Sequence, residues 1–155
     1  MEKGVHCPNF AKGKRKDQLR PKNQPINRDI AADNRYNMYI INKEFHFSAS
    51  HILLGLRPDH PCSRLHGHNY VVNVYFRASA LNNVGFVIDY RDLEPIKQYI
   101  DNELDHRHLN DILPVNPTAE HLAKHFYDLF KPQFPELYKV EISETPKTKA
   151  TYEAD

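Results

Sequence analysis

The sequence predicts an α+β fold whose elements follow the order ββααββ. Two segments, 39–51 and 68–79, alternate apolar and polar residues and are rich in β-branched and aromatic side chains, a pattern typical of strands with one buried face. Two later segments repeat apolar residues at helical spacing, and two short β-type segments follow them. The chain has 155 residues, a length typical of one domain with a substantial core.

The first predicted strand runs from Tyr39 to His51. Its alternation places four residues on one face: Phe45, Phe47, Ala49 and His51. The second predicted strand spans 68–79. Glycine and proline between the two strands predict a long loop, and long loops inside compact domains are often functional.

A helix is predicted from the cap Asp89 to about Leu104, with Pro95 in its first turn, where proline is tolerated. Its helical spacing places four residues on one face: Leu93, Ile96, Lys97 and Ile100. A second helix is predicted to begin at Asn116-Pro117. Its predicted inner face comprises Leu122, Phe126, Leu129 and Phe130. The final strands are predicted at 137–144 and 148–153, joined by a turn at Pro146-Lys147.

Composition excludes several classes of protein. The formal net charge is +1, so the whole chain provides no electrostatic basis for a nucleic-acid or membrane partner. We find no apolar run long enough to span a bilayer and no secretory signal in the N-terminal residues. The two cysteines, Cys7 and Cys62, lie in unlike contexts and do not indicate a disulfide framework. We therefore expect a cytoplasmic protein.

Residues 1–37 differ from the rest of the chain. They contain nine basic and four acidic residues, whereas the remainder contains twelve and sixteen. Few large apolar residues and no clear periodicity predict a basic, flexible N-terminal leader, followed by one domain over 38–155. The basic run at 12–16 has two interpretations, a contact with an acidic partner and a solvated tail, and we favour the tail.

A metal site is indicated by His66 and His68, which point to the same side of a strand and flank a glycine. Catalytic zinc typically takes three protein ligands and keeps one open position. His51 ends the preceding strand on its inward face and is the expected third ligand. His46 lies on the opposite face and is excluded, and His60 in the loop is a weaker candidate.

Cys62 lies four residues before His66, and two roles are open to it. As a fourth ligand it would close a structural site, although structural zinc sites usually contain at least two cysteines. As a lone thiol near positive charge, including Arg64, it would act in acid–base or nucleophilic chemistry. We favour the role in acid–base or nucleophilic chemistry over that of a structural zinc ligand.

Two further features have both a functional and an ordinary interpretation. Asp105-His106 is either an oriented carboxylate–imidazole pair or the C-terminus of a helix, where histidine is favourable. Glu144 at the end of a strand is either a solvated surface group or an acceptor for a planar N–H fork of a heterocycle.

These residues together resemble the 6-pyruvoyl-tetrahydropterin synthase / 6-carboxy-tetrahydropterin synthase superfamily, over about Phe45 to Tyr152. Six short motifs occur in the family's order, and Ser50 stands where an alanine is common. The motifs are Phe47-Ser48-Ala49-Ser50-His51, Cys62-x3-His66-Gly67-His68, Gly85-Phe86-Val87-Ile88-Asp89-Tyr90, Leu104-Asp105-His106, Asn116-Pro117-Thr118-Ala119-Glu120 and Glu144-Thr145-Pro146.

The resemblance implies the T-fold, with a four-stranded antiparallel sheet, two helices on one face, and homotrimers that stack as hexamers with active sites at subunit interfaces. It also implies zinc on three histidines, an acid–base set, and a pterin anchor. The residues concerned are His51, His66 and His68 for zinc; Cys62, Asp105 and His106 for acid–base chemistry; and Glu144 for pterin. Thr118 would lie near the pterin edge or cap a helix.

The spacing within Cys62-Ser63-Arg64-Leu65-His66-Gly67-His68 resembles that of the bacterial 6-carboxy-tetrahydropterin synthases of queuosine biosynthesis, because biopterin-making relatives tend to have a longer spacer. The resemblance thus implies conversion of 7,8-dihydroneopterin triphosphate to 6-carboxy-5,6,7,8-tetrahydropterin with loss of acetaldehyde and triphosphate. The alternatives are a 6-pyruvoyl-tetrahydropterin synthase and a non-catalytic protein that binds zinc or pterin.

Overall fold

The computed structural model describes residues 37–154, so nearly all of the predicted basic leader, including Cys7, lies outside the described residues. The described part contains a five-stranded sheet with the strand order β3-β1-β2-β4-β5 and two α-helices. The strands are β1 (Tyr39–His51), β2 (His66–Ala78), β3 (Arg107–His108), β4 (Leu137–Thr145) and β5 (Thr148–Glu153), and the helices are α1 (Glu94–Tyr99) and α2 (Ala119–Phe130).

The four predicted strands are present and pair antiparallel, but the expectation of a purely antiparallel, four-stranded sheet is wrong. The fifth strand, β3, runs parallel to β1 and pairs Ala49 with Arg107 and Ser50 with His108. Two residues are too few for an alternating pattern, so its place depends on contacts with β1. The amide of Ser48 donates to the Asp105 carboxylate at 2.9 Å, which helps draw this segment along the β1 edge.

The first helical segment begins at a 3₁₀ turn, Tyr90–Leu93, continues as α1 and ends in a π turn, Ile100–Leu104. Asp89 caps it by accepting from the Arg91 amide, as predicted. Three of the four residues predicted for its inner face are buried, whereas Lys97 is exposed and pairs with Asp101 one turn away.

The second helix begins later than predicted. Thr118, not Asn116, is its N-cap, and the Thr118 hydroxyl accepts from the His121 amide at 3.3 Å. Asn116 instead binds the backbone of Leu54. Leu129 was predicted on the inner face but is 44% exposed, while Ala123 and Tyr127 are buried in its place.

One core cluster joins both helices to a single face of the sheet. The inward residues of β1 and β2 contribute to this cluster at every second position, as strand geometry requires. Because the same alternation continues to the ends of these strands, the first residue of β2 and the last residue of β1 also point inward. Both of these residues are histidines, so the sheet places imidazoles at the margin of the core. In residues 37–154, no helix is long and apolar enough to cross a membrane.

Candidate metal centre and active site

Three histidines meet where β1 ends and β2 begins. In the antiparallel register His51 lies opposite His66, and Ala49 lies opposite His68. One ligand nitrogen from each of the three imidazoles lies within 4.8 Å of the others. Backbone pairing of two long strands therefore brings together the three residues that the sequence predicted as metal ligands.

Hydrogen bonds fix the rings of two of these histidines. His51 Nδ1 lies 2.8 Å from the Pro117 carbonyl oxygen, and His66 Nδ1 lies 2.7 Å from that of Arg64. A carbonyl only accepts, so each Nδ1 carries the proton and donates it. Each Nε2 is then left with a lone pair, which is the form that binds a metal.

His51 is 1% exposed, and this burial lowers its pKa because the charged ring loses its hydration. The neutral imidazole that ligation requires is therefore favoured. Tyr70, also fully buried, places its hydroxyl 3.3 Å from His51 Nδ1. Sequence reasoning missed Tyr70, although its alternation with His66 and His68 on β2 was the available signal.

The cluster suits a metal with a preference for nitrogen. Two Nε2 atoms, of His51 and His66, lie 2.9 Å apart, near the edge of roughly 3.3 Å in a tetrahedron built from zinc–nitrogen bonds of about 2.0–2.1 Å. Among residues 37–154, the group of possible ligands comprises these three histidines and does not include Cys62. The excluded His46 instead lies 2.9 Å from Glu44.

Cys62 lies half-buried in a short 3₁₀ turn, Pro61–Ser63, inside the segment that joins β1 to β2. Its carbonyl accepts from the Leu53 amide at 2.9 Å, which ties the two ends of this segment together. The imidazole of His60, the weaker ligand candidate, accepts from the Cys62 amide at 3.1 Å. These bonds position the backbone of Cys62.

Two asparagines hold the start of the same segment. Asn110 accepts from the Ile52 amide and donates to the Ile52 carbonyl, and Asn116 makes the same pair of bonds with Leu54, all four at 2.8 Å. Each amide side chain thus substitutes for a neighbouring strand. Sequence reasoning missed both roles, because the partners are separated by 58 and 62 residues.

Asp105 and His106 form the expected pair. The Asp105 carboxylate lies 2.8 Å from His106 Nδ1. The Ser48 amide and, second, the His106 side chain hold the pKa of Asp105 below its usual value. His106 has a φ of +59°, which is uncommon for a residue other than glycine and is typical of constrained functional positions. Its own amide donates to the Ser48 carbonyl.

Glu144 lines two cavities near the end of β4. One, of about 220 Å³, lies between the β4–β5 hairpin and the start of α2 and is also lined by Thr118. The other, of about 630 Å³, is also lined by His68. The structure thus brings Glu144 near both Thr118 and the histidine cluster, while Thr118 also caps α2.

Comparison with known proteins shows which family this chain is similar to. A family model described as 6-pyruvoyl tetrahydropterin synthase matches residues 40–155. A Synechocystis protein named 6-carboxy-5,6,7,8-tetrahydropterin synthase is 38% identical, with 74% of this chain and 93% of the relative covered. A Bacillus subtilis protein of the same name is 30% identical, with 72% and 83% covered. Caenorhabditis elegans 6-pyruvoyl tetrahydropterin synthase superposes with a TM-score of 0.68 at 28% identity, covering 77% and 97%.

Proposed function

Because this chain belongs to the 6-pyruvoyl tetrahydropterin synthase family, we propose that it is a zinc-dependent 6-carboxy-5,6,7,8-tetrahydropterin synthase. It would convert 7,8-dihydroneopterin triphosphate and one water to 6-carboxytetrahydropterin, acetaldehyde and triphosphate. The observation that supports this most directly is the cavity shared by His68, at the candidate metal centre, and Glu144. Such a cavity suits a heterocycle whose side chain ends at a metal.

His51, His66 and His68 would hold the zinc ion. When bound, zinc would supply Lewis acidity that lowers the pKa of substrate hydroxyl groups. Glu144 would accept hydrogen bonds from the pterin ring and orient it, and Thr118 would contact the pterin edge from the smaller cavity. These assignments divide the site into an ion-binding part on β1 and β2 and a ring-binding part at the β4 end.

Cys62, Asp105 and His106 would move protons. The Cys62 thiolate would take a carbon-bound proton of the substrate side chain. Asp105 would keep a proton on His106 Nδ1, since it lies 2.8 Å from that atom, so that Nε2 exchanges the second proton. The pKa of Asp105 lies below its usual value, which favours the ionised carboxylate required for this role.

We also propose a homo-oligomer, a trimer or a stacked hexamer, with active sites at subunit interfaces. In the described part of the chain, β3 covers β1 only at Ala49 and Ser50, and β5 forms the other sheet edge. Open strand edges pair readily with other strands. Light scattering on the purified protein tests this assembly. A cytoplasmic location would keep the Cys62 thiol reduced.

One incubation tests the proposed reaction. The zinc-loaded protein is mixed with 7,8-dihydroneopterin triphosphate, acetaldehyde is trapped, the pterin is identified chromatographically, and zinc is quantified per subunit. We expect one acetaldehyde per substrate consumed. Release of triphosphate with all three side-chain carbons retained would instead identify a 6-pyruvoyl-tetrahydropterin synthase. Tight binding of zinc and pterin without turnover would identify a non-catalytic relative.

A further inference from the structure

A third cavity borders the histidine cluster at His68 and is not lined by Glu144. It has a volume of about 600 Å³ and lies between the ends of β1, β2 and β3. Its lining in the described part of the chain contains one arginine and three histidines and has no carboxylate. The residues that bear on what it binds are Ser50, His68, Asn69, His106, Arg107 and His108.

Arg107 provides a permanent positive charge in this cavity. Within residues 37–154 Arg107 forms no ion pair with a carboxylate, and its guanidinium donates one long hydrogen bond, to the Asn102 carbonyl at 3.5 Å. Lys149, by contrast, is bound to Glu141 at 2.9 Å. The charge of Lys149 is therefore offset by Glu141, whereas most of the Arg107 donors remain available to a ligand.

His108 lies beside Arg107 and is oriented by Ser50, whose hydroxyl lies 3.1 Å from His108 Nδ1. When the hydroxyl donates, a neutral ring carries its proton on Nε2. That N–H can then donate to an anion without any change of charge. Ser50 and His108 are also paired through the backbone of β1 and β3, so the ring is held beside β1, the strand that carries His51.

The two cavities next to His68 differ in their charged side chains. The one that contains Glu144 is also lined by Glu44, His46 and Lys149. His46 lies against Glu44 and Lys149 against Glu141, so neither is a free positive charge, and the Glu144 carboxylate disfavours a polyanion. The one that contains Arg107 and His108 is lined by no carboxylate. A ligand with a neutral ring and a polyanionic tail is therefore oriented across His68, with its ring towards Glu144 and its tail towards Arg107.

We propose that Arg107 and His108, with Ser50 as the positioning residue for His108, form the subsite for the triphosphate of the substrate. This inference rests on the proposed function for the identity of the tail. The triphosphate is attached to the carbon next to those that bear the side-chain hydroxyls. His68 belongs to the candidate metal centre and also lines this cavity. A substrate whose side-chain hydroxyls bind at the metal centre therefore places its phosphates at the mouth of the cavity.

The first test uses inorganic triphosphate as the probe and needs no turnover. Its affinity for the zinc-loaded full-length protein is measured by calorimetry for wild type, Arg107→Gln, Arg107→Lys and His108→Gln. We expect Arg107→Gln to weaken binding about 10- to 100-fold, as for the loss of charge-assisted hydrogen bonds. Arg107→Lys should restore part of the affinity, because it keeps the charge but loses the guanidinium fork.

The matched control is Lys124→Gln, which also removes one positive charge but from α2, where Lys124 pairs with Asp128. Its triphosphate affinity should equal that of wild type. An equal loss in Lys124→Gln would mean that only net charge matters and would overturn the subsite. Lys149→Gln is measured in the same series. A loss of triphosphate affinity confined to this variant would assign the phosphates to the β4–β5 hairpin and would overturn the subsite as well.

The second test uses the substrate. Arg107→Gln should raise the KM for 7,8-dihydroneopterin triphosphate by the same factor, while the affinity for 7,8-dihydroneopterin, which lacks the phosphates, should not change. Turnover with an unchanged KM would overturn the subsite and leave the proposed function intact. Arg107-dependent binding of triphosphate without any pterin turnover would support the subsite and reject the proposed function.

Discussion

The β1–β2 strand pair and the segment 52–65 each contribute to the candidate site, but they are held in different ways. His51 and His66 face each other because thirteen consecutive residues of β1 pair with β2. The segment that carries Cys62 is held by a few hydrogen bonds, four of them from the distant side chains of Asn110 and Asn116 to Ile52 and Leu54. The metal centre is therefore part of the sheet, whereas the thiol depends on contacts that single substitutions can remove.

The largest effect is expected from His66→Ala in the strand pair. It removes one of three predicted zinc ligands, so we expect zinc to be lost and turnover to fall by at least about 1,000-fold. Metal content and product formation are measured together. His46→Ala is the matched control for zinc content, because His46 lies on the outer face of β1 and outside the cluster of three histidines, and it should retain zinc. A full complement of zinc in His66→Ala would contradict the ligand assignment.

Cys62→Ala tests whether the segment 52–65 contributes to turnover but not to zinc binding. Because Cys62 lies outside the cluster of three histidines, the variant should retain zinc, while turnover should fall about 10²- to 10⁴-fold, the usual contribution of a positioned acid or base. Zinc per subunit and kcat are the measurements. Normal turnover would reject the catalytic role of Cys62, and loss of zinc would show that it is a ligand.

Asn116→Ala tests whether the hydrogen bonds between Asn116 and Leu54 are needed to position the segment 52–65. The substitution removes two hydrogen bonds to Leu54, each of 2.8 Å, and should lower kcat about tenfold through misplacement of Cys62 while zinc stays bound. The free energy of unfolding should fall by about 1–3 kcal/mol.

The matched control for Asn116→Ala is Asn82→Ala. Asn82 also accepts two backbone amides, of Val84 and Phe86, but in the loop at the opposite end of β2. It should lose similar stability in denaturant titration and keep its kcat. Equal losses of kcat in both variants would show that stability, and not the position of Cys62, limits turnover.

The smallest effect is expected from Tyr70→Phe, beneath the metal centre. The substitution removes only a hydroxyl 3.3 Å from His51 Nδ1, and that atom still donates to the Pro117 carbonyl. We expect zinc affinity to fall by about tenfold or less, at the low end for partners of metal ligands. Competition with a chelator measures it. A complete loss of zinc would show that Tyr70, not Pro117, fixes the His51 ring.

Strand periodicity alone was enough to predict much of this fold. The bounds of β1 and β5 agree with the predictions, β4 extends one residue further, and β2 begins two residues earlier, at His66. The start of α2 was misplaced because Asn116-Pro117 has the composition of a helix start. Asn116 bonds instead to Leu54, a partner that no local pattern indicates.

The residues of the candidate site divide in the same way. The sequence by itself determined which faces carry histidine, because alternation along a strand depends only on neighbouring residues. It also determined that Asp105 adjoins His106. Only the tertiary structure decided that β3 joins the β1 edge, that two asparagines hold the Cys62 segment, and that Arg107 lines a cavity with His68. These features depend on contacts between residues far apart in the chain, and such contacts exist only once the sheet has formed.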